Sequence, residues 1–443
     1  MERYSLNKKS IFTFGLIFAS LIAIYLLVLY ISALLPSEGI KKNIKESVQT
    51  INDPRDWVDP ITFSGGETKG PYTINIGTDA IMMNVIYNMN LESPFKSILL
   101  DRLYGKSDNI YDCMPNLIAT VDGDATHEFF YGRYWHGYIA LWRPLFIFFN
   151  YLDLRTFNFF VFNLLVFLLI IFTTKKSGYF MALALSLSLI YINFWVIPMA
   201  FQYLSVFYLT LISSLIIMVS EVQKESFYLK LFFIIASLTT FLDLLTVPLI
   251  TLGIPFLFIL IKNQNDIKKQ SFKQIFTLLF KLGLCWILGF ALTWLMKIII
   301  VSITDMSVIS ESIKQLQYRT NGAGGSFLET RYVAFYRNLK AMFFGIYSLQ
   351  TLFILIFVII SWLIFRKKEK LSPVFYIYGI ITILPYMWYF IAAEHSIMHN
   401  SFTYRLQMMT ILGFFLAYKE SVDMDKLKNS FKTLRKNISI QKK

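Results

Sequence analysis

The sequence has little charge. Asp, Glu, Lys and Arg make up 16% of its 443 residues, whereas 56% are hydrophobic and the mean hydropathy is +0.54. Soluble domains carry about 25% charged residues, so this composition argues against a soluble enzyme and predicts a chain that lies in a bilayer. The only two cysteines, Cys113 in a polar segment and Cys285 in an apolar run, predict no disulfide. Neither a Walker glycine loop nor a dinucleotide-binding glycine fingerprint occurs, so no nucleotide-binding fold is expected.

Apolar runs of spanning length predict an all-α polytopic membrane protein with about ten transmembrane helices, formed by residues 1–443 as a single integral membrane domain. The runs are 11–34, 153–173, 178–197, 200–219, 228–246, 246–261, 275–302, 345–365, 372–392 and 402–418. Between Asp243 and Pro255 the pattern fits a hairpin, a kink or a re-entrant turn. The first run is about twice as long as the apolar part of a signal peptide, so we expect it to remain as an anchor.

Short basic loops predict the orientation. The net charge of +14 is concentrated in clusters beside the apolar runs, which indicates membrane topology rather than nucleic-acid binding. If these clusters and the basic tail, 419–443, face the cytoplasm, all spans alternate correctly and both termini are cytoplasmic. The predicted localisation is therefore the cell membrane, with membrane lipids as partners and no nucleic acid.

Three segments then lie outside the cell. The large first external loop, 36–152, is predicted to contain interfacial helices at Lys41–Ile51, Thr78–Met89 and Trp135–Phe149, with a turn at Ser64-Gly65-Gly66. The second large external loop covers 304–345, and a short third one surrounds Glu394–Arg405.

The candidate functional residues gather in these external segments. All four histidines are external, and several ionisable residues lie within a few residues of predicted membrane boundaries, where an ionisable group is costly unless it is paired or functional. The set comprises Asp122, Asp124, His127, Glu128, Arg133, His136, Arg143, Glu394, His395, His399 and Arg405. The alternative is that arginine and histidine side chains only extend to the interface and satisfy helix ends there.

Metal binding is not strongly indicated. Asp122-Gly-Asp124 has the form of a DxD motif that holds a divalent cation and a diphosphate sugar, but a solvated turn explains it equally well. His395 and His399 share a helix face without the glutamate order of zinc proteases, so we predict no protein metal site and interpret them as satisfied histidines or phosphate donors. The cofactor is left open between a divalent cation and none.

Two further carboxylates stand next to apolar sequence. Asp79 opens an apolar helical stretch, where it either caps the helix or serves as a general base held against the membrane. Asp243 lies in a nearly continuous apolar run and is expected to pair, for instance with an arginine from the external loops.

The second external loop combines glycines with arginines. Arg319 precedes the run Asn-Gly-Ala-Gly-Gly-Ser at 321–326, and Arg331 follows it. Glycines provide a hinge and arginines bind phosphate in a bidentate manner, so this loop is either a lid over an anionic head group or an ordinary surface loop.

The organisation resembles the GT-C superfamily of membrane glycosyltransferases, which use lipid-phosphate sugar donors. The likeness covers most of the chain, and the stretches His127-Glu-Phe-Phe-Tyr-Gly-Arg-Tyr-Trp-His-Gly-Tyr and Glu394-His-Ser-Ile-Met-His-Asn-Ser-Phe-Thr-Tyr-Arg resemble those of uncharacterised bacterial membrane proteins of this type. In that superfamily the catalytic carboxylate belongs to the first external loop. By position Asp79, Asp122, Asp124 and Glu128 all qualify, although the gap after the first span is longer than is usual there, which leaves the choice of base open.

The resemblance implies a polyprenyl-phosphate-linked sugar as partner and glycosyl transfer to a cell-surface glycan, lipid or protein at the external face. The substrate and its phosphate would be bound by residues of all three loops: Arg133, His136, Arg143, Arg319, Arg331, Glu394, His395, His399 and Arg405. Two other functions compete. A transporter or flippase would place ionisable groups near mid-membrane on broken helices of two related halves, and a non-catalytic partner in surface-polysaccharide assembly would tolerate loss of the carboxylates.

Overall fold

The computed structural model describes residues 8–51, 76–222, 224–321, 326–343 and 348–441. Within these ranges the chain is almost entirely helical, and its one sheet is a two-stranded antiparallel hairpin. The prediction of an all-α architecture is confirmed. The predicted turn at Ser64-Gly65-Gly66 lies outside the described residues.

The N-terminal part consists of one long helix followed by short elements. In chain order they are α1 (Lys8–Ala33), α2 (Ser37–Ile51), α3 (Gly77–Tyr87), α4 (Pro94–Leu100), β1 (Leu103–Gly105), α5 (Cys113–Asp122), β2 (His127–Phe129) and α6 (Ile139–Leu145). The helices predicted at Lys41–Ile51 and Thr78–Met89 correspond to α2 and α3. The one predicted at Trp135–Phe149 is wrong in extent, because only α6 is helical and its Trp142 is buried in the protein.

The central part consists of longer helices. They are α7 (Tyr151–Ser177), α8 (Tyr179–Tyr191), a 3₁₀ helix (Phe194–Met199), α9 (Phe201–Val219), α10 (Glu225–Leu242), α11 (Ile250–Lys262), α12 (Gln264–Ile267) and α13 (Phe272–Ser302). Asn150 caps α7, and Ser271 caps α13 in a capping box with Gln274, so the sequence itself marks both helix starts.

The C-terminal part begins with two polar helices and returns to apolar ones. It comprises α14 (Ser307–Asn321), α15 (Phe327–Phe343), α16 (Ser348–Phe365), α17 (Pro373–Ile391), α18 (Ala393–Met398), α19 (Asn400–Thr403), a 3₁₀ helix (Tyr404–Gln407), α20 (Met408–Ser421) and α21 (Met424–Gln441).

Seven of the described helices are long and apolar enough to cross a membrane: α1, α7, α9, α10, α13, α16 and α17. Large apolar side chains cover their outer faces, for example Phe160, Phe280 and Phe353, which are each more than 60% exposed. Exposed apolar belts of this size belong against lipid. The protein thus has the features of a multi-pass membrane protein. The apolar helices α8 and α11 are shorter, at 13 residues each, so the count of about ten spans stays a prediction.

The helices have one end rich in lysine. The links that follow α9, α11, α16 and α20 meet at this end. Lys268 pairs with Glu420 at 3.0 Å, and Lys419 donates to Gln264 at 3.3 Å. Arg366 forms a β-bridge with Val422. At the opposite end Arg133, which lies between β2 and α6, pairs with Glu311 of α14, and both α14 and α15 pack with α18. The basic clusters and the candidate site residues therefore lie at opposite ends of the bundle.

Residues 243–249 form a turn between α10 and α11, so the hairpin is the arrangement that the structure has for this ambiguous stretch. Asp243 closes the turn: its carboxylate accepts from the backbone N–H of Thr246 at 2.8 Å and from the Thr246 hydroxyl at 2.5 Å. The prediction that Asp243 pairs with an arginine is wrong, because local donors satisfy this carboxylate in the manner of an Asx turn.

Candidate functional site

Residues 131–138 form a buried segment that fixes the first loop against the long helices. The Trp135 indole N–H donates to the Thr293 carbonyl of α13 at 2.8 Å, and the Gly137 N–H donates to the Phe241 carbonyl of α10 at 2.8 Å. A Cβ at position 137 would lie 2.5 Å from that carbonyl oxygen, so the close approach requires glycine. Arg133 and His136 thus sit on a rigid support.

His136 is part of this support. It adopts φ +52°, and its ring nitrogens lie 2.8 Å from the Tyr138 hydroxyl and 3.0 Å from the Tyr131 carbonyl. Burial, with Lys297 nearby, lowers its pKa to about 3, so the ring is neutral at pH 7. Both ring nitrogens are engaged by the protein, which leaves none for a substrate.

Five side chains from distant parts of the chain meet beside this segment. Arg133 forms an ion pair with Glu311 of α14, and the Tyr134 ring lies under both Arg133 and Arg319, at 5.1 and 5.7 Å from the guanidinium carbons. The His395 and His399 rings pack at 4.8 Å, and the charge of Arg319 acts on both. We call these five residues, Arg133, Glu311, Arg319, His395 and His399, the polar cluster.

The polar cluster contains hydrogen-bonding atoms that the protein does not use. Among the described residues, Nε of Arg133, Nη1 of Arg319, Oε2 of Glu311 and both ring nitrogens of His395 are buried without a partner. His395 is 3% exposed and lies beside the backbone of Leu245 and Thr246 without a hydrogen bond of acceptable geometry. Each such atom costs about 1–3 kcal/mol. A ligand that offers both acceptors and donors would recover this cost.

The two histidines of the polar cluster are neutral at pH 7. Burial, with the Arg319 charge as a second cause, lowers the pKa of His399 to about 4 and that of His395 well below its usual range. The fixed charges are therefore two guanidinium groups against one carboxylate, a local excess of one positive charge. Such a site favours an anion that accepts hydrogen bonds from neutral imidazole as well.

A hydrogen-bond network holds the histidine segment in place. The Asn338 amide donates to the Ser396 carbonyl at 2.9 Å and accepts from the Thr403 hydroxyl at 2.7 Å, while the Gln407 amide donates to the Asn338 carbonyl at 2.8 Å. Asn338 is completely buried, so α15 fixes both ends of the segment that carries His395 and His399. This network was not foreseen, because single Asn and Gln residues in amphipathic sequence give no signal of long-range pairing.

Asp79 lies in a second polar group. Its carboxylate, which is completely buried, accepts from the Tyr151 hydroxyl and from the N–H groups of Phe201 and Gln202 at 2.7 and 3.0 Å. Burial raises its pKa to about 6 despite these donors. The N–H groups open α9, so Asp79 caps a helix other than its own, and solvent does not reach it in this conformation.

Arg405 adjoins this second group. Its guanidinium lies 4.6 Å from the centre of the Tyr203 ring and donates to the Ser401 carbonyl at 2.7 Å. Phe402 contacts both Tyr203 and His399, at 5.8 and 4.9 Å between ring centroids, so the second group and the polar cluster are in contact through one aromatic side chain.

The Arg143 guanidinium forms hydrogen bonds mainly with backbone carbonyls. It is completely buried and donates to the carbonyls of Ser32, Leu35 and Ile86 and to the Ser37 hydroxyl. Its pKa falls to about 10 because it is buried. It closes the C-terminal ends of α1 and α3, where helix carbonyls have no intrahelical partner, so its contacts are those of a structural residue.

Several candidates lie at the protein surface. Asp122, Asp124 and His127 are exposed, and Glu128 pairs with Arg102 and accepts from the Tyr104 hydroxyl at 3.1 Å. A polar cavity of about 200 Å³ opens beside Glu128 and Arg102. Arg102 also lies near Asp305, which precedes α14 by two residues.

Arg331 and Glu394 do not join the polar cluster. The Arg331 guanidinium stacks on Phe327 at 3.8 Å and donates to the Asn321 side chain at 3.2 Å. Glu394 is half-buried at the start of α18. The central glycines of the predicted hinge, 322–325, lie outside the described residues.

A buried ion pair was missed from the sequence. Lys297 of α13 pairs with Asp101 at 2.9 Å and donates to the carbonyls of Ile98 and Leu99; both charged side chains are completely buried. The signal was present, because a lysine in an apolar helix demands a partner and Asp101 follows the apolar run of α4. Glu311 was missed too, although its spacing of eight residues from Arg319 puts both on one helix face.

No protein family model, curated protein or solved structure matches this chain. Among the described residues no three His, Cys, Asp or Glu side chains gather closely enough to hold a metal ion.

Proposed function

We propose that the protein is a glycosyltransferase of the GT-C type, which moves a sugar from a polyprenyl phosphate to an acceptor at the external face of the membrane. The observation that carries the proposal is the polar cluster. It combines an excess positive charge with buried, unpartnered donors at the end of the helices opposite the lysine-rich end. A lipid phosphate lies at that depth and accepts hydrogen bonds from guanidinium and imidazole groups.

The topology supports this placement. If the lysine-rich end is cytoplasmic, as the positive-inside rule requires, the polar cluster is external. The three short apolar segments, α8 with its 3₁₀ extension, α11 and α20, then complete about ten spans, and both termini are cytoplasmic. A phosphate headgroup on the external leaflet reaches the polar cluster without crossing the membrane.

Arg133 and Arg319 bind the phosphate in this proposal, and His395 and His399 donate to its remaining oxygens. The acceptor hydroxyl attacks the anomeric carbon, the bond from that carbon to the phosphate oxygen breaks, and the electron pair leaves on the polyprenyl phosphate. The two arginines stabilise that developing charge.

Glu311 takes the acceptor proton, because it is the carboxylate that contacts Arg133, one of the two phosphate-binding arginines. The other carboxylates are less suited to this role: Asp79 is completely buried and accepts three hydrogen bonds, whereas Asp122 and Asp124 are exposed to solvent. Glu128 is placed beside a cavity suited to a polar acceptor. Glu311 pairs with Arg133 in the structure, so a phosphate must displace it, and the displaced carboxylate is then free to act as a base.

Native mass spectrometry of the detergent-purified protein with added polyprenyl phosphate tests the phosphate site. Arg319→Gln removes a guanidinium with a buried, unused donor, and we expect retention of the lipid to fall about tenfold, as for loss of a charge-assisted hydrogen bond. Arg337→Gln is the matched control, since it removes the same charge from an exposed position on α15. Equal retention by the wild type and both variants would refute the site.

The buried Asp101–Lys297 pair favours a second candidate, a transporter, because paired ionisable groups next to spanning helices mark ion-coupled pathways. The two functions differ in their product. Reconstituted vesicles with a radiolabelled sugar donor would yield a new glycoside in one case and only redistribution of intact donor in the other.

A further inference from the structure

At the lysine-rich end, two cavities adjoin and lie outside the polar cluster. An apolar groove of about 340 Å³ is lined by α1, α10 and α13, among them Phe14, Gly15, Phe233 and Leu288. A polar cavity of about 620 Å³ is lined by Lys273, Gln274 and Glu225, and Lys281 lines both. A polar compartment therefore continues into an apolar groove on the membrane-facing side of three helices.

We propose that this pair of cavities binds one anionic phospholipid of the leaflet at the lysine-rich end, with its phosphate in the polar compartment and an acyl chain in the groove. The polar compartment has two lysines and one glutamate, and the Lys281–Glu225 ion pair at 2.7 Å neutralises one lysine. Lys273 is then the uncompensated charge, which complements an anionic headgroup.

The length of the apolar groove fits the acyl chain of a phospholipid. The groove runs along α13 from Lys281 to Leu292, which is about 16 Å at 1.5 Å per residue. One leaflet of the hydrocarbon core is about 15 Å thick. An acyl chain fills this length, whereas a polyprenyl chain exceeds it severalfold. The site is thus separate from the proposed donor site in both ligand and position.

The test is native mass spectrometry of the full-length protein with phosphatidylglycerol and phosphatidylcholine of identical acyl chains. We expect the wild type to retain the anionic lipid preferentially, and Lys273→Gln to reduce that preference about fivefold, as for loss of one basic residue at an anionic surface. Lys368→Gln is the matched control, because it removes an exposed lysine at the same end that lines neither cavity.

Gly15→Phe tests the groove. A Cβ at Gly15 meets no atom within 4 Å, so the ring enters the groove without displacing the fold, and retention of both lipids should fall. Gly379→Phe on α17, where a Cβ is also free of contacts, is the control. Equal retention of the two lipids by the wild type, or unchanged retention in Gly15→Phe, would overturn the proposal. A dimer that Gly15→Phe converts to a monomer would also overturn it, because a second copy would then be the occupant.

Discussion

Replacing Glu311 by glutamine separates the two roles that the proposed mechanism gives this residue. The change keeps the shape of the side chain and an oxygen that accepts from Arg133, but it removes the negative charge that competes with a phosphate. We therefore expect Glu311→Gln to bind polyprenyl phosphate more tightly than the wild type and to lose turnover. A residue that only stabilises the fold would weaken both.

The size of the expected gain in affinity follows from the repulsion between the Glu311 carboxylate and a phosphate bound to the same arginine, Arg133. A carboxylate and a phosphate about 4 Å apart repel by about 4 kcal/mol at an effective dielectric of 20. The Glu311 side chain is 28% exposed, and ionic strength screens part of the repulsion. A remaining effect of about 1–2 kcal/mol corresponds to binding that is roughly five- to thirtyfold tighter.

The assay is titration of the purified variant with polyprenyl phosphate, read by native mass spectrometry at fixed protein concentration. Glu329→Gln is the control, because it removes an exposed carboxylate at the start of α15 and should leave the affinity unchanged. An unchanged or weaker affinity of Glu311→Gln would refute the idea that this carboxylate occupies the phosphate position. Tighter binding with full turnover would refute only its role as the base.

Three further predictions concern the buried charges and are read as apparent melting temperature in detergent. Burial raises the Asp79 pKa from 3.8 to about 6, so the folded protein binds the carboxyl proton more tightly than the unfolded chain does. The free energy of unfolding therefore falls by up to about 3 kcal/mol as the pH rises from 4 to 6, and Asp79→Asn should lack this pH dependence. Lys297→Met leaves Asp101 buried and unpaired and should cost about 3–5 kcal/mol, much of which Asp101→Leu restores in the double variant. Arg143→Gln should lower the melting temperature while lipid retention per folded molecule stays unchanged, whereas loss of retention would assign Arg143 to the donor site.

The helices were largely predictable because their signals are local. Apolar runs of spanning length predicted the long helices, and the amphipathic pattern of Lys41–Ile51 predicted α2, which buries Ile44, Val48 and Ile51 in the structure. Trp135 and His136 were assigned to a helix because their aromatic neighbours fit an interfacial pattern. In the structure they belong to an irregular, buried segment, since hydrogen bonds to α10 and α13 outweigh local propensity.

Four of the five residues of the polar cluster were predicted from the sequence, but Glu311 and the pairing of the side chains were not. The sequence placed Arg133, Arg319, His395 and His399 in external loops, and the structure brings them together. The sequence could not show that the Arg143 guanidinium donates its hydrogen bonds to backbone carbonyls. Partners separated by more than a hundred residues are fixed by tertiary packing, which no local pattern encodes.

Burial alone therefore does not identify the functional arginine. Arg143 and Arg319 both belong to segments predicted to be external, and desolvation is costly for each. The four acceptors around Arg143 repay that cost within the protein, so nothing is gained when a ligand arrives. Arg319 has a buried donor without a partner among the described residues, and its cost is repaid only by an added acceptor. An unpartnered buried donor lowers the stability of the protein unless a ligand binds it, and for this reason Arg319 is the arginine to substitute first.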